Sequence, residues 1–369
     1  MVRSLVRFKA IEGCSILARL PLRHWICLFL AAMAAMLTSG DAAAVAPKTL
    51  PKKPTSNPFA SARFYVDPHS ASRVQIEKWK GSRPEDAKLL ERIAGRSQAE
   101  WFLDDVSEVA DEVGSRVDKI VAARALPVLV AYAIPGRDCG SNSQGGAADA
   151  VEYRKWIREF ARGIGSRKAV VVLEPDALAD LDTADCLDDP LKTERIALLK
   201  DAVTTLKQRP GISVYIDAGN SGWRSTDRTA ELLLQVGIKD AAGFALNVSN
   251  FVSTAETQRY GDEISRKIGN KHFIVDTSRN GHGPDPGEDW CNPPNQGLGS
   301  PPTTRTRDLL CDALLWIKSP GESDGDGPEC HGGPAAGVWW SEYALGLCQR
   351  ASPEAAEPLR IGIPGSEAR

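Results

Sequence analysis

Four aspartates each close an apolar run: Asp138 after "LPVLVAYAIPGR", Asp176 after "AVVVLEP", Asp217 ending "ISVYID", and Asp324 beyond "LLCDALLWIKSPGES". One such aspartate alone is most simply a helix N-cap or an ion-pair partner. Four at successive strand ends are different, because a barrel would converge them on one mouth. Two carboxyl groups across a cleft are the minimum equipment for cleaving a glycosidic bond, one as acid and one as base. Clustering also raises the pKa of one member, since neighbouring like charges resist full ionisation, and so keeps an acid protonated near neutral pH. The stretch "KAVVVLEPDALADLD" (168–182) shows how the chain delivers such groups. Ala169 to Leu173 is wholly apolar and has the length of a strand buried on both faces. Pro175 cannot donate to a β-ladder, so pairing stops there and Glu174 and Asp176 emerge at the strand end.

Aromatic residues supply the other half of a sugar site. Trp101, Tyr132, Trp223 and Trp290 lie at or beside these loops. An exposed indole can stack against the apolar C–H face of a pyranose, whose hydroxyls stay in polar surroundings. Trp156 and Trp316 fall inside periodic apolar patterns and are assigned to the core. Other chemistries find no support. The five histidines (His24, His69, His272, His282, His331) are scattered, and no H-E-x-x-H, G-x-S-x-G or Walker spacing occurs. No metal or cofactor is expected.

The elements that position these groups follow one repeated pattern. "RFYVD", "LPVLVAYAIPGRDC", "AVVVLEPD", "ISVYIDAGNSGW", "AGFALNVSN", "HFIVDTSRNG" and "LLCDALLWIKSPGESDG" are apolar runs ending in polar residues and Gly- or Pro-containing loops. Between them, "EYRKWIREFARGIG" and "ERIALLKDAVTTLKQ" carry apolar positions at helical spacing with charges opposite. The alternation predicts an α/β fold, a parallel β/α barrel of about seven strands in one catalytic domain, with its site at the C-terminal strand ends. The Pro- and Gly-rich segment 279–304 is too long for an ordinary connection, and Trp290 and Cys291 within it favour an ordered, stapled loop.

With 369 residues, 42% hydrophobic and 25% charged, the chain has room for one large domain. Its 45 Lys+Arg against 48 Asp+Glu leave no basic excess for nucleic acid. Residues 1–44 read as a secretory signal: Arg3, Arg7, Lys9, Arg19 and Arg23 precede the apolar "WICLFLAAMAAML" and a small-residue cut expected after Ala44. That apolar stretch is short for a membrane span, so no membrane attachment is expected after cleavage. Residues 45–57 form a Pro/Lys-rich linker, 58–351 the catalytic barrel and 352–369 a C-terminal tail. Export to the periplasm or outside the cell permits disulfides among Cys139, Cys186, Cys291, Cys311, Cys330 and Cys348, in any of about 15 connectivities.

The motifs "YAIPGRDC" (132–139), "LEPDAL" (173–178), "YIDAGNSGW" (215–223), "DTSRNGHGP" (276–284), "DWCNP" (289–293) and "WIKSPGESDG" (316–325) resemble, in order, glycoside hydrolase family 6, the inverting cellulases with a distorted α/β barrel. The resemblance implies Asp176 as general acid and Asp138 as the partner that holds its pKa up. It implies Asp324 as the base, acting directly or through water, and Asp217 as an electrostatic carboxylate. Tyr132 would press on the sugar being cleaved. Lys318 and Glu322 would hydrogen-bond the neighbouring sugar, Trp101, Trp223 and Trp290 would stack, and Asn247 would join the substrate-binding set. It also implies the disulfides Cys139–Cys186 and Cys291–Cys330, with Cys311 and Cys348 paired to each other or free. Two departures stand out. Asn220 replaces the family's histidine in "DAGN", and the serine that helps hold the attacking water falls at Gln144, with Ser143 one residue earlier as the alternative.

The expected activity is a secreted, monomeric endo-β-1,4-glucanase acting on β-1,4-glucan or cello-oligosaccharide with inversion. The tunnel-forming members carry longer insertions near the last strands, whereas here Cys330 follows Gly325 by only five positions. The alternatives are a cellobiohydrolase of the same family, and a glucan-binding protein whose catalysis is impaired through Asn220 and Gln144.

Overall fold

The computed structural model describes residues 57–103, 107–182, 186–284 and 290–357, all within the unit Lys53–Arg369. The expected signal at 1–44, the linker apart from Asn57, and residues 358–369 of the tail lie outside the described residues. Seven strands form one parallel sheet in sequential order: β1 (Glu100–Phe102), β2 (Val128–Ala131), β3 (Ala169–Leu173), β4 (Ile212–Asp217), β5 (Gly243–Leu246), β6 (His272–Asp276) and β7 (Cys311–Leu315). The order leaves β1 and β7 as its edges. They approach each other at one end, where the Ala99 N–H donates to the Trp316 carbonyl at 3.0 Å and the Trp101 indole N–H to the Ile317 carbonyl at 2.8 Å. The result is the distorted, incompletely closed barrel that the sequence implied.

Alternation along each strand divides the core in two. Val130, Val172, Tyr215, Ala245, Ile274 and Ala313 pack inward with Phe59. Leu129, Val171, Ile216, Phe244 and Phe273 face outward. Helices α1 (Ala71–Trp79), α2 (Pro84–Ala94), α3 (Val109–Ala122), α4 (Ala150–Ile164), α5 (Asp189–Lys207), α6 (Thr226–Gln235), α7 (Thr254–Lys267), α8 (Ser341–Gln349) and α9 (Pro353–Ala356) complete the fold. Trp156 of α4 and Trp316 are fully buried, as expected. Ser225, Ser253, Asp149 and Asp188 cap helices with side-chain oxygens, each a contribution of about 1 kcal/mol.

One strand assignment fails. "RFYVD" forms a single bridge, Phe64 to Leu126, and the first barrel strand is "EWF" at 100–102. At three residues it is too short to show a period of two, and its pairing with β2 comes from the sheet, not from local pattern.

Candidate active site

The exits of β2, β3 and β4 bring four carboxyl groups together. β3 ends at Leu173, and the next residue, Glu174, still donates its N–H to the Ala131 carbonyl at 2.8 Å. Its side chain is fully buried and accepts the N–H groups of Ala133 and Ile134 at 3.0 Å each. Glu174 therefore fixes the exit of β2, and burial pushes its carboxyl up to about 7. Asp176 follows with φ +68°. Its N–H donates at 3.0 Å to Asp217 Oδ2, which also accepts the Gly219 N–H at 3.2 Å. Asp176 is pushed well above the ordinary range by burial, then by the negative charges of Asp217, Asp180 and Asp138; a hydrogen bond from Tyr132 opposes them. Asp217 rises to about 7 by burial, against the N–H donors that favour its anion, and its Oδ1 is buried without a hydrogen-bond partner.

Asp138 sits on the loop after β2 with φ +57°. Its Oδ2 accepts the Ser143 N–H at 2.7 Å. Burial and then Asp180 raise its carboxyl, while the Ser143 N–H and Arg137 oppose them. Positive φ at Asp138, Cys139, Glu174 and Asp176 places backbone strain where these carboxyl groups are aimed, a cost that tends to gather at functional sites. Two arginines hold the strained turns. Arg137 donates to the carbonyls of Tyr132 (2.6 Å), Ser143 (2.7 Å) and Gln144 (3.2 Å) and lies 4.6 Å over the Tyr132 ring. Arg195, buried on α5, binds Asp180 at 2.6 Å and the carbonyls of Pro135 and Gly136 at 2.9 and 2.8 Å. The Cys139–Cys186 disulfide ties the same loop to the segment after β3.

The exits of β6 and β7 are built differently. Asp276 ends β6 and accepts N–H groups from Ser249, Ser278, Ile317 and Lys318 between 2.9 and 3.2 Å, locking three strand exits together. Arg279, fully buried, binds Asp324 Oδ2 at 2.7 Å and lies 4.6 Å over Phe251. Asn292 grips Asp324 reciprocally: its N–H donates to Oδ2 at 3.0 Å, and its Oδ1 accepts the Asp324 N–H at 2.7 Å. The Lys318 ammonium lies 3.8 Å from Asp324 Oδ1. Burial pushes Asp324 up, but Arg279, Lys318 and the Asn292 N–H outweigh it and hold the carboxyl below its usual range. Glu322 moves the other way, raised by burial against Lys318. The Cys291–Cys330 disulfide staples this side, as the family likeness implied. Cys311 and Cys348 are buried thiols and do not pair with each other.

The remaining residues singled out in the sequence divide by exposure. Trp223 and Trp290 are 46% and 50% exposed, unusual for tryptophan and suited to stacking. Trp101 is half-buried, edge-on to Tyr132 with ring centroids 5.3 Å apart. Ser143, not the exposed Gln144, carries the N–H that binds Asp138. Asn220 is buried and accepts the Gly222 N–H at 2.9 Å, so it shapes its own turn. Asn247 is fully buried, and its amide bonds the Asn250, Val252 and Asp276 carbonyls and the Val252 N–H, so it braces the exit of β5. Arg137, Arg195, Arg279 and Asn292 escaped the sequence reading. Only Arg137 had a local signal, its place next to Asp138.

Carboxyl groups pushed in opposite directions at the mouth of a parallel barrel meet the acid-and-base requirement of glycoside hydrolysis. The chain belongs to glycosyl hydrolases family 6, whose sequence profile matches residues 59–351. It is 45% identical to Endoglucanase A of Cellulomonas fimi over 80% of this chain, and spans 62% of that protein. It is 40% identical to Endoglucanase 1 of Streptomyces halstedii over 80% of this chain and 90% of that one. Among solved structures, an endoglucanase from Mycobacterium tuberculosis in complex with a methyl-cellobiosyl-thio-cellobioside superposes with a TM-score of 0.75 at 43% identity, covering 80% of this chain and 99% of that one.

Proposed function

We propose that the protein is an inverting endo-β-1,4-glucanase that cuts internal bonds of cellulose or a soluble β-1,4-glucan. The observation that carries the reading is the opposite tuning of Asp176 and Asp324: one carboxyl is held protonated by burial and like charges, the other ionised by Arg279 and Lys318. Asp176 then gives its proton to the leaving glycosidic oxygen. Water attacks the anomeric carbon from the opposite face and passes its proton towards Asp324, directly or through a second water. Asp138 and Ser143 steer that water, Asp138 and Asp217 keep the acid's proton in place, and Tyr132 presses on the sugar being cleaved. Lys318 and Glu322 bond the adjacent sugar, with Trp101, Trp223 and Trp290 as stacking surfaces. Endo action is supported by the short 325–330 segment and by the two half-exposed tryptophans, which suit an open cleft. Two disulfides and an expected signal support work outside the cytoplasm.

The test is hydrolysis of carboxymethylcellulose, following viscosity, reducing ends and anomeric form. A steep viscosity drop with few new reducing ends and inverted product is expected. Slow viscosity change with steady cellobiose release would make it a cellobiohydrolase, and cello-oligosaccharide binding without turnover a binding protein.

A further inference from the structure

The loop that carries Asp138 touches the loop that carries Asp324 through the side chain of Asn142. Asn142 precedes Ser143, whose N–H holds Asp138, and reaches out to the segment after β7. Its Nδ2 donates to Glu329 Oε1 at 3.2 Å and lies 3.6 Å from Cys330 Sγ. A carboxylate only accepts, so the amide nitrogen must be the atom that faces Glu329. A Cβ on Gly325 would fall 2.3 Å from Asn142 Cγ, so this side chain rests directly on the backbone beside Asp324. Glycine at 325 is what permits the approach. Glu329 is folded to meet it, with its carboxylate over Gly327, where a Cβ would fall 2.6 Å from Oε1.

The sheet order places β1 between β2 and the seam with β7. A contact between the loops after β2 and β7 therefore passes across the exit of β1, where Trp101 stands edge-on to Tyr132. Each loop is anchored by its own disulfide, Cys139–Cys186 on one side and Cys291–Cys330 on the other. Neither aspartate depends on the contact for its place. Asp138 is held by the Ser143 N–H, and Asp324 by Arg279 and Asn292. The contact is one side chain wide, between a half-buried amide and an exposed carboxylate. A hydrogen bond of this kind has a small net worth, so the two arms part at little cost.

We infer that Asn142 is a specificity-determining residue, which bridges the cleft over the bound glucan and retains the chain between successive cuts. With endo action as proposed, on which this rests, an internal stretch of polymer enters sideways as the bridge parts. The bridge then re-forms above it. Several cuts follow from one encounter, and short soluble products leave before the polymer does.

The test is the ratio of soluble to insoluble reducing ends released from phosphoric-acid-swollen cellulose. Asn142→Gly should lower this ratio by about 2- to 10-fold, the worth of one net hydrogen bond. On cellotetraose, which is cut once per visit, its kcat should stay close to that of the wild type. Glu329→Ala should lower the ratio as well, whereas Glu329→Gln keeps the acceptor and should preserve it. Gly325→Ala should wedge the bridge open, yet change the ratio much less in the Asn142→Gly background, because the three atoms nearest its Cβ belong to Asn142. A steep viscosity drop on carboxymethylcellulose, with the same ratio in wild type and Asn142→Gly, would overturn the bridge and leave endo action standing. A slow viscosity change, with the ratio still lowered in Asn142→Gly, would keep the bridge and overturn endo action.

Discussion

The two sides of the catalytic mouth use the same side chain to opposite ends. At the exits of β2 to β4, Asp138, Asp176 and Asp217 face one another and Asp180, and burial raises every one of them. At the exits of β6 and β7, Asp324 is just as enclosed but meets Arg279, Lys318 and a backbone N–H, and its pKa falls. Burial alone would have raised all four. The neighbour decides the proton, and the strand topology decides the neighbour.

The largest effect expected from breaking this contrast is at Asp176. Asp176→Asn removes the proton donor, and kcat on carboxymethylcellulose should fall by about 10² to 10⁴-fold, with the fold intact by circular dichroism. Next comes Arg279→Gln. With its strongest opposing charge gone, Asp324 rises, and the acid limb of the kcat/KM profile should move to higher pH by roughly 1–3 units. The same change leaves a buried charge short of its partner, so thermal unfolding should show a loss of about 3–5 kcal/mol.

Asp217→Asn sharpens the other side. It keeps an acceptor for the Asp176 and Gly219 N–H groups but removes a like charge beside the acid. The alkaline limb should therefore move to lower pH, by less than the Arg279 shift; an unmoved limb would show that burial alone sets the acid. Glu174→Gln should have the smallest effect, and on stability only. Folding raises Glu174 from 4.5 to about 7, so in that window the native chain holds a proton that the unfolded chain has lost. Stability then falls as pH rises from 4.5 to about 7, and the Gln variant should lose less melting temperature between those values than the wild type.

How much of this was legible in the sequence depended on whether the physics was local. β3 was legible because five consecutive apolar residues meet a proline, and the acid lies just beyond it. β1 was not, because three residues cannot display alternation and only the neighbouring strand makes them a strand. The acidic half of the site was visible as aspartates at strand ends. The basic half was not: Arg279 meets Asp324 across 45 positions and Arg195 meets Asp180 from the middle of a helix, and neither partnership leaves a spacing to read. The partners of Asn247 were hidden for a related reason: its place at a strand exit was legible, but not the folding back of the chain that brings backbone groups to its amide. The disulfides came only from family likeness, since six cysteines alone do not choose among pairings.

The central claim is that Asp176 is the protonated acid and Asp324 the ionised partner. It is tested most directly by the pH dependence of kcat/KM on an aryl cellobioside with a dinitrophenyl leaving group, for the wild type and Asp176→Asn. Such a leaving group departs without a proton, so the variant should keep substantial activity. The account predicts that its alkaline limb vanishes while the acid limb, set by Asp324, stays where the wild type has it. An alkaline limb that persists unchanged in Asp176→Asn would contradict the account and move the acid to another carboxyl of the cluster.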